Sequence, residues 1–230
     1  MQKRSIKSFV LRKGRVSSRQ QHGLENLLPI YTLPLTKWDF ALIFNRTAPI
    51  CVEIGFGMGM SLVQMAQENK NINYIGIEVH QAGIGNLAAD LYAKEVNNVR
   101  IAPYDAVEVF NIAIPDNSLT TIQIFFPDPW PKKRHIKRRL IEPKFINLLV
   151  QKLLLNGCLH IATDWEPYAE HCLKYLQQNP NLINTSLHNT YVARPDNRPL
   201  TKFELRGTNL GHQVFDLMFV KNDQKKYVDY

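Results

Sequence analysis

The segment Val52-Glu53-Ile54-Gly55-Phe56-Gly57-Met58-Gly59 constrains this chain more than any other. An apolar run closes on a carboxylate, glycines follow at alternate positions, and an apolar helical pattern opens at Met60. A second apolar run, Tyr74-Ile75-Gly76-Ile77, closes on Glu78, 25 residues after Glu53. Strand, glycine turn, helix and acid-tipped strand make a β-α-β unit. Such a unit predicts an α/β sheet that binds a ligand beyond the carboxyl ends of its strands.

The spacing also says which ligand. A dinucleotide fingerprint is G-x-G-x-x-G; here the third glycine comes one residue early and Met60 stands in its place. No lysine follows the glycines, which excludes a P-loop. Glu53, two residues before Gly55, would repel a phosphate and attract a cation. S-adenosyl-L-methionine carries a sulfonium and an ammonium and no phosphate, so Glu53, Gly55 and Glu78 point to that cofactor, with Glu78 suited to ribose hydroxyls. A glycine-rich turn without a ligand is the plainer alternative.

The rest of the chain continues the alternation. Strands are expected at Ile50–Ile54, Tyr74–Glu78, Val99–Ala102, Thr121–Phe126 and Cys158–Thr163. Helices are expected at Ser61–Gln67, Gly85–Glu95, Pro143–Leu155 and Pro167–Gln177. Near-continuous apolar strands are those of a parallel sheet covered on both faces. The expected fold is a doubly wound, mostly parallel Rossmann-like α/β sheet. Gln213–Val220 should close it as a terminal antiparallel hairpin with a strand near Ser186–Val192. Residues 46–230 then form the cofactor domain, and residues 1–45 an extension in front of it. Glu53, Glu78, Asp105, Asp128 and Asp164 all fall at or just past strand ends, along one edge of the sheet. Helix capping explains any single one of them; it explains all five poorly.

The net charge of +8 is unevenly spread. Residues 1–24 hold seven Lys/Arg and no acid, and residues 132–139 hold six more and no acid. The other 15 bases face all 20 acids, so the body is acidic. Two basic blocks on an acidic body are a footprint for a polyanion. Neither has a clear apolar face, which argues against a membrane surface, and no apolar run reaches 18 residues. Cys51, Cys158 and Cys172 are widely spaced and odd in number, as suits a reducing cytoplasm. No histidine has a credible metal partner, so no metal is expected; His80 and His160 read as structural. The basic, acid-free N-terminus also fits a mitochondrial transit peptide.

Past the fourth strand comes Phe125-Phe126-Pro127-Asp128-Pro129-Trp130. Prolines on both sides of Asp128 fix its backbone, Trp130 offers a flat face, and the basic block begins at Lys132. A pocket for a planar base beside a phosphate clamp is the reading this favours over a mere proline-rich connection. In Thr201-Lys202-Phe203-Glu204, a strand would put Thr201 and Phe203 on one face and Lys202 and Glu204 on the other.

The strings EIGFGMG, YIGIEVH, FFPDPWPKKRHIKRR, TDWEPYAE and RPLTKFELRG, with SFVLRKGRVSSRQQHGLENLLPIY before them, resemble the bacterial tRNA (guanine-N7)-methyltransferase family over roughly residues 8–220. The match through the N-terminal segment weakens the transit-peptide reading. The Pro131 spacer after Trp130 is a small departure. The resemblance implies methyl transfer from S-adenosylmethionine to N7 of a guanosine in the variable loop of tRNA, by a cytoplasmic monomer or homodimer. It implies that Glu53, Glu78, Asp105 and Asp128 bind the cofactor and that Asp128 is catalytic. It assigns Lys132, Asp164, Thr201, Lys202, Phe203 and Glu204 to the substrate. Arg134, His135, Ile136, Lys137, Arg138 and Arg139 would contact RNA.

The chemistry agrees with the residues. Guanine N7 carries a free lone pair, so no base is needed before attack; what is needed is alignment and a negative charge near the purine. Guanine shows donors at N1 and N2 together, and Asp164 or Glu204 could accept both. Two other readings remain open: methyl transfer to an exocyclic amine of a nucleic-acid base, and an RNA-binding protein with a degenerate cofactor fold. On either enzymatic reading, the extension should serve RNA, and trimming residues 1–19 should spare cofactor binding.

Overall fold

The computed structural model describes residues 8–9, 14–200, 204 and 213–222. Short helices α1 (Ser18–His22), α2 (Leu28–Tyr31) and α3 (Phe40–Phe44) come first, with a π-helical turn, Gly23–Leu27, between α1 and α2. The alternating body is β1 (Ile50–Ile54), α4 (Met60–Glu68), β2 (Asn73–Ile77), α5 (Gln81–Ala93), β3 (Val99–Ala102), α6 (Ala106–Ile112) and β4 (Leu119–Phe125). A 3₁₀ helix (Lys133–Arg138) leads to α7 (Pro143–Lys152), β5 (Leu153–Thr163), α8 (Glu166–Gln177), β6 (Leu182–Asn184) and β7 (Phe215–Lys221).

The seven strands form one sheet in the order β3-β2-β1-β4-β5-β7-β6. Pairing is parallel from β3 through to β5, and β7 runs antiparallel to both β5 and β6. This is the doubly wound sheet the alternation predicts. Every residue of β1 and β2 is buried, because helices cover both faces. Ile50, Val52 and Ile54 pack with α6, α7 and α8, while Cys51 packs with α4 and α5. Leu27 and Tyr31 join the α4–α5 side.

Three details depart from the sequence reading. The partner of β7 is Leu182–Asn184, not Ser186–Val192, which contributes only a single bridge from Val192 to Asp216. The helix expected to reach Leu155 ends at Lys152, and Leu153–Leu155 open β5. Three consecutive leucines carry no period that separates helix from strand. Helix α6 is short and follows directly on Asp105, whose side chain caps it by accepting from Val107 N at 3.0 Å. Among the described residues, no helix is long and apolar enough to cross a membrane.

Candidate active site

The order of the parallel strands sets the carboxyl ends of β3, β2, β1, β4 and β5 along one rim, where the expected acids sit at or just past the strand ends. Asp105, past β3, caps α6 and lines a separate cavity with Lys137 and Arg138. Glu53, one residue from the end of β1, is 2% exposed. Ser61 Oγ donates to its Oε1 at 3.2 Å, while Oε2 is buried without a hydrogen-bond partner among the described residues. Burial raises the Glu53 carboxyl to about 7; the Ser61 hydrogen bond opposes the shift and the nearby Glu78 charge adds to it. Glu78, at the end of β2, is built differently. Its Oε1 accepts from the backbone N–H groups of Val79 (2.7 Å) and His80 (3.0 Å), and its Oε2 from Gly57 N (3.0 Å). Three donors leave a carboxylate about one lone-pair site for a ligand.

The glycine turn lies between these acids. Gly55, Gly57 and Gly59 all have positive φ (76°, 57° and 79°), and a Cβ on Gly55 or Gly57 would meet nothing within 4 Å. The inner surface of the loop is therefore open backbone. It borders two cavities that share Gly55, Phe125 and Phe126. One, of about 240 Å³, reaches Glu78, Tyr104 and Asp128; the other, of about 810 Å³, reaches Glu53 and Ser61. An unpartnered buried acceptor at one end, a backbone-held carboxylate at the other and open glycine backbone between them fit a cation-bearing ligand such as S-adenosylmethionine. A buried polar atom is costly until it is paired, and an ammonium donor would pair Glu53.

Beyond β4 the chain makes the Asp-Pro turn. Phe126 (φ 51°) and Trp130 (φ 45°), on either side of Pro127-Asp128-Pro129, are both left-handed. A non-glycine residue in that region costs about 1–2 kcal/mol, so the surroundings must hold the turn. Phe126 N bonds Ala162 O at 2.8 Å and Trp130 Nε1 bonds Ser8 O at 3.1 Å. The Arg138 guanidinium lies 5.1 Å from the Trp130 ring, and His135 meets that ring edge-on. Asp128 itself is exposed. With His80, it lines both the 240 Å³ cavity and a third cavity of about 470 Å³ bounded by Trp130, Lys132 and His135. The carboxylate thus stands where the loop cavity opens towards the basic segment.

Comparison with known proteins now decides the family. A family model described as "Putative methyltransferase" matches residues 47–217, well over half of the chain. A tRNA (guanine-N(7)-)-methyltransferase of Legionella pneumophila strain Philadelphia 1 is 56% identical over 225 residues, covering 96% of this chain and 100% of that protein. The chain belongs to the tRNA (guanine-N(7)-)-methyltransferase family. A second member, from Idiomarina loihiensis, is 50% identical and covers 95% of this chain and 90% of its own. Among solved structures, the 16S rRNA methyltransferase KamB superposes with a TM-score of 0.58 at 11% identity, covering 80% of this chain and 93% of that one. Identity that low speaks for the Rossmann-like methyltransferase fold alone.

Within this family member, the other residues singled out from sequence fall into three groups. Arg134, Ile136 and Lys137 are exposed on the 3₁₀ helix, with His135 and Arg138 half-buried against Trp130. Lys132 is exposed, and Asp164 is half-buried just past β5. Two residues are placed otherwise than expected. Arg139 is buried (9% exposed): its Nε donates to Pro129 O at 2.9 Å and its guanidinium lies 5.0 Å from the Tyr168 ring. It braces the Asp128 turn from beneath and does not face solvent. Glu204 is also buried, and both its oxygens accept from Arg198, at 2.6 and 2.7 Å, so neither is free to read a guanine edge. Thr201, Lys202 and Phe203 lie outside the described residues.

Arg198 itself escaped the sequence reading. It is 1% exposed and bonds Asp216 Oδ2 at 3.0 Å as well as Glu204. Its Nε lies 2.8 Å from Asp216 Oδ1 without the alignment of a hydrogen bond. His160 Nε2 meets the same Oδ1 at 2.7 Å. Stacked near Phe125 and Phe126, this cluster ties Arg198 and Glu204 to Asp216 on β7. Ser61 was missed too, although its place directly after the glycines and Met60 is a signal.

Proposed function

We infer that this protein transfers a methyl group from S-adenosyl-L-methionine to N7 of a guanosine in tRNA. The observation that carries the reading is 56% identity across the full length of a tRNA (guanine-N(7)-)-methyltransferase. The rim geometry supports it. Glu53, Gly55, Glu78, Asp105 and Asp128 bind the cofactor: Glu53 takes its ammonium, the glycine loop passes along it, and Glu78 takes a ribose hydroxyl with its remaining acceptor site. Lys132, Asp164 and the Thr201–Glu204 run serve the substrate. In that run Glu204 acts through Arg198 by anchoring the segment, and the guanine edge falls to Asp164. Arg134, His135, Ile136, Lys137 and Arg138 meet the RNA, and Arg139 supports the turn that carries them.

When bound, S-adenosylmethionine supplies a methyl carbon on a sulfonium, and its transfer to the N7 lone pair leaves a thioether and a positively charged purine. The chain's task is alignment and charge. Asp128, held by two prolines and by the braced Trp130, presents a carboxylate to the developing cation. Preorganised charge of this kind is worth about 10²–10³ in rate. No proton is abstracted for the transfer, so no general base is required. A loop guanosine is the reachable target, because the N7 edge in an RNA duplex lies in a deep, narrow groove; the variable loop of tRNA fits that need. Residues 1–45 contribute their basic segment to RNA contact, and residues 46–230 form the methyltransferase domain. The protein works in the cytoplasm, as a monomer or homodimer.

The test is incubation of the full chain with methyl-labelled S-adenosylmethionine and unmodified tRNA, then nucleoside analysis. Label in 7-methylguanosine is expected. Label on an exocyclic amine would transfer the site to the alternative chemistry, and absence of label would refute the reading.

A further inference from the structure

The glycine loop is held by side chains of α5 that border its cavity, and the hold runs back to the N-terminal helix. Phe56–Gly59 form a turn closed by Gly59 N to Phe56 O at 2.9 Å. Gly57 has φ 57° and Met58 does not have positive φ, the combination of a type II′ turn, which requires glycine at its first central position. Three contacts fix this turn. Glu78 takes the Gly57 N–H. The Gly57 carbonyl lies so close to α5 that a Cβ on Gly83 would sit 2.0 Å from its oxygen. The Met58 carbonyl accepts from Asn86 Nδ2 at 2.8 Å.

Asn86 is itself set in place. The same Nδ2 bonds Asp90 Oδ2 at 3.0 Å, one turn along α5. Arg19, on α1, donates Nη1 to Asn86 Oδ1 at 3.0 Å and Nη2 to Asp90 Oδ1 at 2.6 Å. Arg19 therefore fixes which way the Asn86 amide faces: with the oxygen satisfied by a guanidinium, the NH₂ must turn to the loop. Asn86 and Asp90 also line the Glu53 cavity.

We propose that Asn86 is a positioning residue for the cofactor loop, and that Arg19 acts through it, so that the basic N-terminal extension is mechanically part of cofactor binding. The proposal rests on the reading of this loop as the S-adenosylmethionine site. It runs against the expectation that trimming residues 1–19 spares cofactor affinity: that cut removes the guanidinium that orients Asn86. Asn86→Ala frees the Met58–Gly59 peptide to sample orientations that do not match the ligand, and the cost appears as a lower population of the competent loop. Arg19 is half exposed, so its own contribution is the smaller of the two.

The test is calorimetric titration of S-adenosylmethionine, without RNA, into the full-length protein and into N86A, R19A and the double variant, with tRNA affinity and melting temperature measured in parallel. N86A is expected to weaken cofactor binding about fivefold, the worth of one net hydrogen bond, with tRNA affinity unchanged. R19A weakens it less, and the double variant no more than N86A, because Arg19 works through Asn86. R19K, which keeps one donor and the charge, recovers part of the R19A loss. Undiminished cofactor affinity in a folded N86A, or additive losses in the double variant, overturns the proposal. If N86A fails to fold, the isosteric N86D, which lacks the donor, replaces it with the same two outcomes. Failure of the unsubstituted protein to bind S-adenosylmethionine would instead strike the assignment of the loop.

Discussion

The glycine-loop side and the Asp-Pro side of the site are built on opposite plans. Around the loop, carboxylates are buried: Glu78 has three backbone N–H donors, and Glu53 is enclosed with Ser61 Oγ on one oxygen and no partner on the other among the described residues. Around Asp128, the charges are exposed and the support comes from rings and cations packed on a strained turn. On the proposed function, the difference follows from the two ligands. A small cation must be enclosed and stripped of water, which a preformed backbone cradle does at low entropic cost. A folded RNA presents an extended phosphate surface, which exposed Arg and Lys meet through counterion release. The two plans meet at Asp128 and His80, which line a cavity on each side.

The sharpest break between them is Asp128→Asn. It removes the charge and keeps the shape, so kcat should fall about 10²–10³-fold, while tRNA affinity, which belongs to the basic side, stays within error. A variant that turns over normally would take Asp128 out of the mechanism. Next in size is the basic helix. Replacing Arg134, Lys137 and Arg138 together by Ala should weaken tRNA binding by more than tenfold at low salt. It should also flatten the log–log salt slope by about 0.7–0.9 per lost phosphate contact, with S-adenosylmethionine affinity intact. Arg139→Ala is the control: it should leave the salt slope alone and cost about 1–2 kcal/mol of stability through its lost carbonyl bond and ring contact. If Arg139→Ala instead flattens the slope, the buried position is not the one used with RNA.

The two plans were not equally legible in the sequence. The placement of Glu53, the glycines and Glu78 around one loop is legible, because they are close in sequence and their spacing is itself the geometry. The sheet was equally clear, since parallel strands buried on both faces must be apolar runs. What escaped is what depends on distant partners. Arg139 looks like its five basic neighbours until Tyr168 and Pro129 are placed against it. Glu204 reads as an exposed acid until Arg198 arrives from six residues upstream. Asn86 has no sequence signal, since an Asn on a helix is ordinary until Met58 and Arg19 converge on it. Short elements such as α6 and β6 lie below the length at which period is informative.

The smallest expected effect divides the two sides by pH. Free Glu53 keeps its proton up to about pH 7, whereas an unfolded chain releases it near 4.5. Across that window the native state binds the extra proton, so on this account stability falls as pH rises. A bound cation favours the ionised carboxylate and reverses the balance. S-adenosylmethionine affinity should therefore rise with pH, by at most tenfold per unit, and level off above about 7, with a proton released on binding below that point. The basic side holds no buried acid of this kind: there, desolvation together with the Arg134 charge lowers the His135 imidazole from its ordinary value. Calorimetry in two buffers of different ionisation heat measures the released proton directly. Wild-type protein should release it at about pH 6, and Glu53→Gln should not. A flat cofactor profile with no proton release would mean that the buried acid meets no positive charge, and the enclosed half of the comparison would lose its reason.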